Sequence, residues 1–208
     1  MKKLFYIYFI FNAIGLFAQG QNDENIEKLI KKYGVKPEFQ CEIVVNIEVE
    51  GMSIPNKKII VDFKKGDKPK VKGEGLALLP KKGTIDQLST LLTTPLQAIY
   101  LSKVKNNLVY KLVSLDQKSD WITADVFFGE DDFIIYKLIV NTRKFGTFYT
   151  VNSYEDKSNI YPSKSVITFD IKKFKIPLKF IGRQENVSKK PNKEENVQGK
   201  ITLYYTYL

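Results

Sequence analysis

Polar and apolar residues alternate with a period of two along most of the chain. The clearest run is Phe39, Cys41, Ile43, Val45, Ile47 and Val49 against Gln40, Glu42, Val44, Asn46, Glu48 and Glu50. Strict alternation places successive side chains on opposite faces of a strand, so one face here is apolar and the other mainly polar. After a turn over Gly51 to Asn56, Ile59, Val61 and Phe63 face inward, and Lys58, Asp62 and Lys64 face outward. A third strand begins near Val71. It passes through Gly73 and Gly75, where it must bend or be closely approached by another backbone.

From residue 107 the same period predicts strands over 107–115, 121–128, 133–141, 145–154, 164–172 and 201–207. The charged positions Lys111, Asp125, Lys137 and Asp170 set the outward faces. The inward sets are then Leu108, Tyr110 and Leu112; Ile122, Ala124, Val126 and Phe128; and Ile134, Tyr136, Leu138 and Val140. They continue with Phe145, Tyr149 and Val151; Ile167, Phe169 and Ile171; and Ile201, Leu203, Tyr205 and Tyr207.

Helical spacing is confined to three places. Ile26, Leu29, Ile30 and Tyr33 form a stripe behind a cap at Asp23 or Asn25, with Gly34 as the stop. Thr84-Ile85-Asp86-Gln87 has the form of a capping box ahead of Leu88, Leu91 and Leu92. Pro95 ends or restarts that helix, and Leu96, Ile99, Tyr100 and Val104 fit another short one. The predicted architecture is mainly β (α+β): a curved antiparallel sheet or half-barrel of about nine or more strands enclosing two or three short helices.

Residues 1–18 read as a signal peptide: Lys2 and Lys3, an apolar run from Leu4 to Phe17, and the small Ala18 before Gln19. Residues 19–208 then form a single domain, and the polar stretch 183–199 is expected to be a mobile loop. The formal charge of the 208-residue chain is +10. In an exported protein this excess points to anionic membrane surfaces rather than nucleic acid, or to a solvated basic surface.

The chain has no histidine and a single cysteine, Cys41. That excludes Ser-His-Asp and Cys-His catalysis, His-based zinc sites, an internal disulfide and a CxxC redox pair. Cys41 falls on the apolar face and reads as a small buried hydrophobe. The acidic candidates Asp120, Asp125, Glu130, Asp131 and Asp132 form no pair across a cleft of the kind glycoside hydrolysis requires. Gly129 to Asp132 reads as a solvated hairpin turn rather than a cation site. The expectation is a non-enzyme without cofactor or metal.

Several segments carry a resemblance. Lys57-Lys58-Ile59-Ile60-Val61-Asp62-Phe63, Lys68-Pro69-Lys70-Val71-Lys72 and Gly75-Leu76-Ala77-Leu78-Leu79-Pro80-Lys81 resemble strands two and three of the LolA/LolB-like superfamily. Tyr161 to Phe169 and Gly199 to Tyr205 are similar to late strands of its Bacteroidetes-type members. The resemblance implies a periplasmic domain whose curved sheet wraps helices and holds a lipid or the acyl chains of a lipoprotein. The expected cavity lining is Ile43, Val45, Ile47, Val61, Phe63, Leu138 and Val140, with Leu88, Leu91 and Leu92 on a lid helix. The expected partners are a lipid or acylated lipoprotein, the outer-membrane surface or an envelope protein, and the protein is expected to be a monomer. An envelope regulatory or scaffold protein that binds another protein with the same fold is the alternative.

Overall fold

A computed structural model describes residues 23–34, 38–49, 52–53, 55–63, 70–73, 91–92, 94–156, 160–170 and 198–208. The first described element is helix α1 (Glu24–Gly34). Asp23 is its cap: Oδ1 accepts the N–H groups of Asn25 (3.0 Å) and Ile26 (3.3 Å). Glu24 and Glu27 lie in the first turn and Lys31 and Lys32 in the last, which complements the helix dipole. Ile26, Leu29 and Tyr33 are buried along one stripe.

The strands are β1 (Phe39–Val49), β2 (Met52–Ser53), β3 (Lys57–Phe63), β4 (Lys70–Gly73), β5 (Leu96–Val104), β6 (Asn107–Ser114), β7 (Trp121–Gly129), β8 (Ile135–Thr142), β9 (Gly146–Ser153), β10 (Lys164–Asp170) and β11 (Gln198–Tyr207). They form one antiparallel sheet in the order β4-β3-β1-β11-β10-β9-β8-β7-β6-β5, with β2 hairpinned onto β1. β4 and β5 are its ends among the described residues, so the sheet is open. From β5 to β10 each strand pairs with its sequence neighbour. β11 then inserts between β10 and β1, which places the first and last long strands side by side.

The expected alternation in β1 and the close approach at Gly73 are both present. Gly73 has φ +130°, and a Cβ there would sit 2.6 Å from the Lys58 carbonyl oxygen. Only glycine fits this position.

Four expectations are corrected. Leu96 to Val104 is strand β5 and not a helix. Its helical spacing coexists with a tight hairpin at Lys105-Asn106, where Lys105 takes φ 56° and Val104 pairs with Asn107. Pairing with β6 satisfies the backbone that a short exposed helix would leave marginal. Second, a register shift between Trp121 and Thr123 turns Ile122 outward and buries Trp121 in its place. Third, Phe145, Tyr149 and Val151 are exposed, and Phe148, Thr150 and Asn152 face inward. Fourth, Gln198 and Gly199 belong to β11 rather than to a loop. The turn after β1 also contains the short strand β2.

Among the described residues α1 is the only complete helix, and Leu91 and Leu92 are helical as expected. The expected signal peptide at 1–18, residues 84–90 of the second helix, and 183–197 lie outside the described residues.

Candidate functional site

Cross-strand register identifies the inner face, since directly paired residues share a face. One row runs Ala124–Val140–Phe148–Phe169 across β7 to β10. The next runs Val126–Leu138–Thr150–Ile167–Ile201–Ile47. A third runs Asn152–Ser165–Leu203–Val45, and Tyr205 and Ile43 follow as a further pair.

This face carries two apolar clusters. On the β5–β8 half, Leu108, Tyr110, Leu112, Val126, Phe128 and Leu138 pack beneath Ile26, Leu29 and Tyr33 of α1, together with Leu91 and Leu92. On the other half, Cys41, Ile43, Val45, Ile47, Ile59 and Val61 join Phe148, Ile167, Phe169, Ile201 and Leu203. Every described member of this second cluster comes from a strand; α1 contributes none.

A polar seam on β9 and β10 lies where the clusters meet. Ser165 Oγ donates to Asn152 Oδ1 (2.7 Å), and Asn152 Nδ2 donates to the Ile135 carbonyl (3.0 Å). Tyr154 donates to that same carbonyl (2.7 Å), and the Ile135 N–H donates to the hydroxyl oxygen of Tyr33 (3.0 Å). Tyr205 reaches Ser165 from the strand-built side. Burial pushes the Tyr33 phenol up to about 12 and raises those of Tyr154 and Tyr205 further, so all three are neutral hydrogen-bonding groups at neutral pH. Thr150 is buried in the same seam, and its hydroxyl has no hydrogen-bond partner among the described residues.

The expected lining residues divide between the two halves. Ile43, Val45, Ile47 and Val61 are buried in the strand-built cluster, and Leu91, Leu92, Leu138 and Val140 in the helix-covered one. Phe63 lies on β3 opposite Phe39, and its side chain is outside the described set, as is the whole of Leu88. The seam residues Thr150, Asn152 and Ser165 were not anticipated. Their signal was the two-residue spacing of Phe148, Thr150 and Asn152, which the more hydrophobic Tyr149 and Val151 between them outweighed.

The acidic candidates sit elsewhere. Asp125 pairs with Lys111 on the outer face, and Glu130 pairs with Lys103. Asp131 accepts from Asn106 (2.9 Å), and Asp132 accepts from the Ile134 N–H and the Tyr136 hydroxyl. Among the described residues no group of three or more acidic or cysteine side chains could hold a metal ion.

No family model matches the sequence, and no curated protein is significantly similar to it. Solved structures are similar in shape. A LolA superfamily protein from Nitrosomonas europaea superposes with TM-score 0.50 at 8% identity, covering 87% of this chain and 91% of that one. A DUF1329 family protein from Desulfovibrio piger superposes with TM-score 0.51 at 6% identity, covering 88% and 90%. The fold is that of the LolA superfamily. At such low identity the likeness extends to the backbone course alone. In this LolA-like sheet the face toward α1 is the one lined by the two clusters.

Proposed function

We propose that the protein is an exported, periplasmic binding protein that holds a lipid, or the acyl chains of a lipoprotein, against the inner face of its LolA-like sheet. One observation carries this reading. The apolar inner face runs across the whole sheet, whereas α1 seats on the β5–β8 half only. Ile43, Val45, Ile47 and Val61, with Phe63 at the end of β3, would bind the chain on the strand-built half. Leu138 and Val140 would bind it beside the seam, next to Leu91 and Leu92.

Each methylene moved from water contributes about 0.8 kcal/mol. A chain of about a dozen carbons therefore gains several kcal/mol net of the ordering cost. The leader-like residues 1–18 and the LolA-like fold together support the periplasmic placement.

The test is extraction of the protein from cells under native conditions, followed by mass spectrometry of what it carries. Lipid or acylated peptide at a constant stoichiometry, lost on substituting Val61→Trp, is the expected result. Lipid-free protein from both variants would overturn the reading. An envelope scaffold that binds a protein partner is the second reading. It is favoured by the open edge β5, where Ile99, Tyr100, Leu101 and Val104 are all exposed. Lipid-free protein recovered with one stable protein partner, dissociated by Leu101→Lys, supports that reading instead.

A further inference from the structure

The outer face of the sheet is not the uniformly polar surface that a half-buried sheet normally presents. Register places Phe127, Lys137, Val151 and Val166 in one row across β7 to β10. Ile139 and Tyr149 are directly paired in the row on one side. Lys164, Tyr204 and Val44 follow one another in the row on the other. Tyr149, Val151 and Tyr204 are 48%, 49% and 47% exposed, so about half of each side chain meets solvent.

Three lysines toward the margins of this face are ion-paired: Lys58 with Glu42, Lys111 with Asp125, and Lys200 with Glu48. The two in its middle have no carboxylate partner among the described residues. Lys137 Nζ lies 4.9 Å from the centre of the Phe127 ring, and Lys164 Nζ lies 5.3 Å from that of Tyr204. Aromatic rings hold both ammonium groups against an apolar surface without neutralising them.

We propose that this outer face is a docking surface for an anionic phospholipid bilayer. The charge is complementary, since two unneutralised cations stand at the centre of the patch on a chain of formal charge +10. Apolar side chains between them enter the headgroup boundary, and Tyr149 and Tyr204 have the amphipathic form that suits it. A protein partner fits the same patch less well, because lysine is depleted from the centres of protein interfaces. Phosphate, by contrast, accepts from an ammonium at any approach. Among the described residues no helix is long and apolar enough to cross a membrane. The docking contact occupies the face opposite the clusters and is independent of the carrier reading.

Co-sedimentation of the purified protein with phosphatidylglycerol and with phosphatidylcholine vesicles tests this. Binding should favour phosphatidylglycerol and weaken with added salt. Lys137→Gln and Lys164→Gln should each lower the affinity roughly fivefold. Tyr149→Ser with Tyr204→Ser should lower it further. Circular dichroism melts of the lysine variants should match the parent, because both side chains lie on the outer face. Any lipid found on the extracted protein should stay bound in these variants, which separates this contact from carriage.

Equal binding to both vesicle types, or binding indifferent to both lysines, would overturn the proposal. So would a dimer by analytical ultracentrifugation that Tyr149→Ser dissociates, or failure to bind either vesicle by a protein that binds polyglutamate through Lys137 and Lys164.

Discussion

The hydroxyl oxygen of Tyr33 accepts the backbone N–H of Ile135 at 3.0 Å, joining the last turn of α1 to the first residue of β8. Both residues are buried, so this bond fixes where the helix rests on the sheet. Tyr33→Phe keeps the ring but orphans a buried donor. The expected loss is about 1–3 kcal/mol by urea denaturation, a cost typical of an unsatisfied buried group. A variant as stable as the parent would mean that α1 is held by packing alone.

The same phenol has a pH consequence. An unfolded tyrosine ionises near its ordinary value of 10.0, and burial pushes Tyr33 up to about 12 in the folded protein. Above the ordinary value the unfolded chain binds fewer protons, so stability is complete below it and falls as the pH climbs toward the folded value. Tyr154, Tyr205 and Tyr207 are raised in the same direction by burial. Melting temperature followed into alkali should therefore drop beyond the ordinary tyrosine range, and less steeply for Tyr33→Phe. A flat profile there would contradict the buried phenols.

Gly73→Ala should destabilise the protein by about 1–3 kcal/mol, because the residue must leave a conformation that side chains rarely adopt. The added Cβ would also meet the Lys58 carbonyl oxygen at 2.6 Å. A thermal melt compares the variant with the parent, and an unchanged midpoint would count against the β3–β4 pairing as described.

Cys41 lies on the inner face between Val61 and Tyr207, and burial pushes its thiol up to about 11. Its thiolate is scarce at neutral pH, and the sulfur is out of reach of reagents. Labelling by a chromogenic disulfide should be slow in native buffer and should rise with urea in step with global unfolding. Rapid labelling of the folded protein would place Cys41 somewhere other than the core.

Strand β5, an end of the sheet among the described residues, exposes Ile99, Tyr100, Leu101 and Val104, although a bulge near Leu101 breaks its regularity. Leu101→Lys should change stability by no more than about 0.5 kcal/mol, as exposed substitutions usually do. It should also delay the onset of light scattering on concentration, since charge blunts an open edge. Faster aggregation of the variant would be inconsistent with this edge.

Most of the β architecture was legible because alternation is a local signal. Strands β1, β3 and β6, the Asp23 cap and the constraint at Gly73 could each be read from a few neighbouring residues. The errors fall where local hydrophobicity and tertiary register disagree. Tyr149 and Val151 are greasier than Thr150 and Asn152, yet pairing with Leu138 and Ser165 sends the polar pair inward. Ile122 was misplaced because a one-residue slip in pairing with β8 reverses the pleat. In Leu96–Val104 the apolar spacing fits a helix, and only the partner β6 decides for a strand. The residues expected to line a site were recognisable as core positions. Their division into two clusters depends on where α1 lands, which no stretch of sequence near β1 or β8 encodes.

β11 pairs with β1 on one side and β10 on the other, and the Leu208 N–H reaches the Gln40 carbonyl at 2.9 Å. Without this segment the described strands fall into two partial sheets, β4-β3-β1 and β10 to β5. Loss of β11 would therefore remove the strand that bridges the two partial sheets, leaving them tied only by the covalent chain, rather than merely trimming an edge.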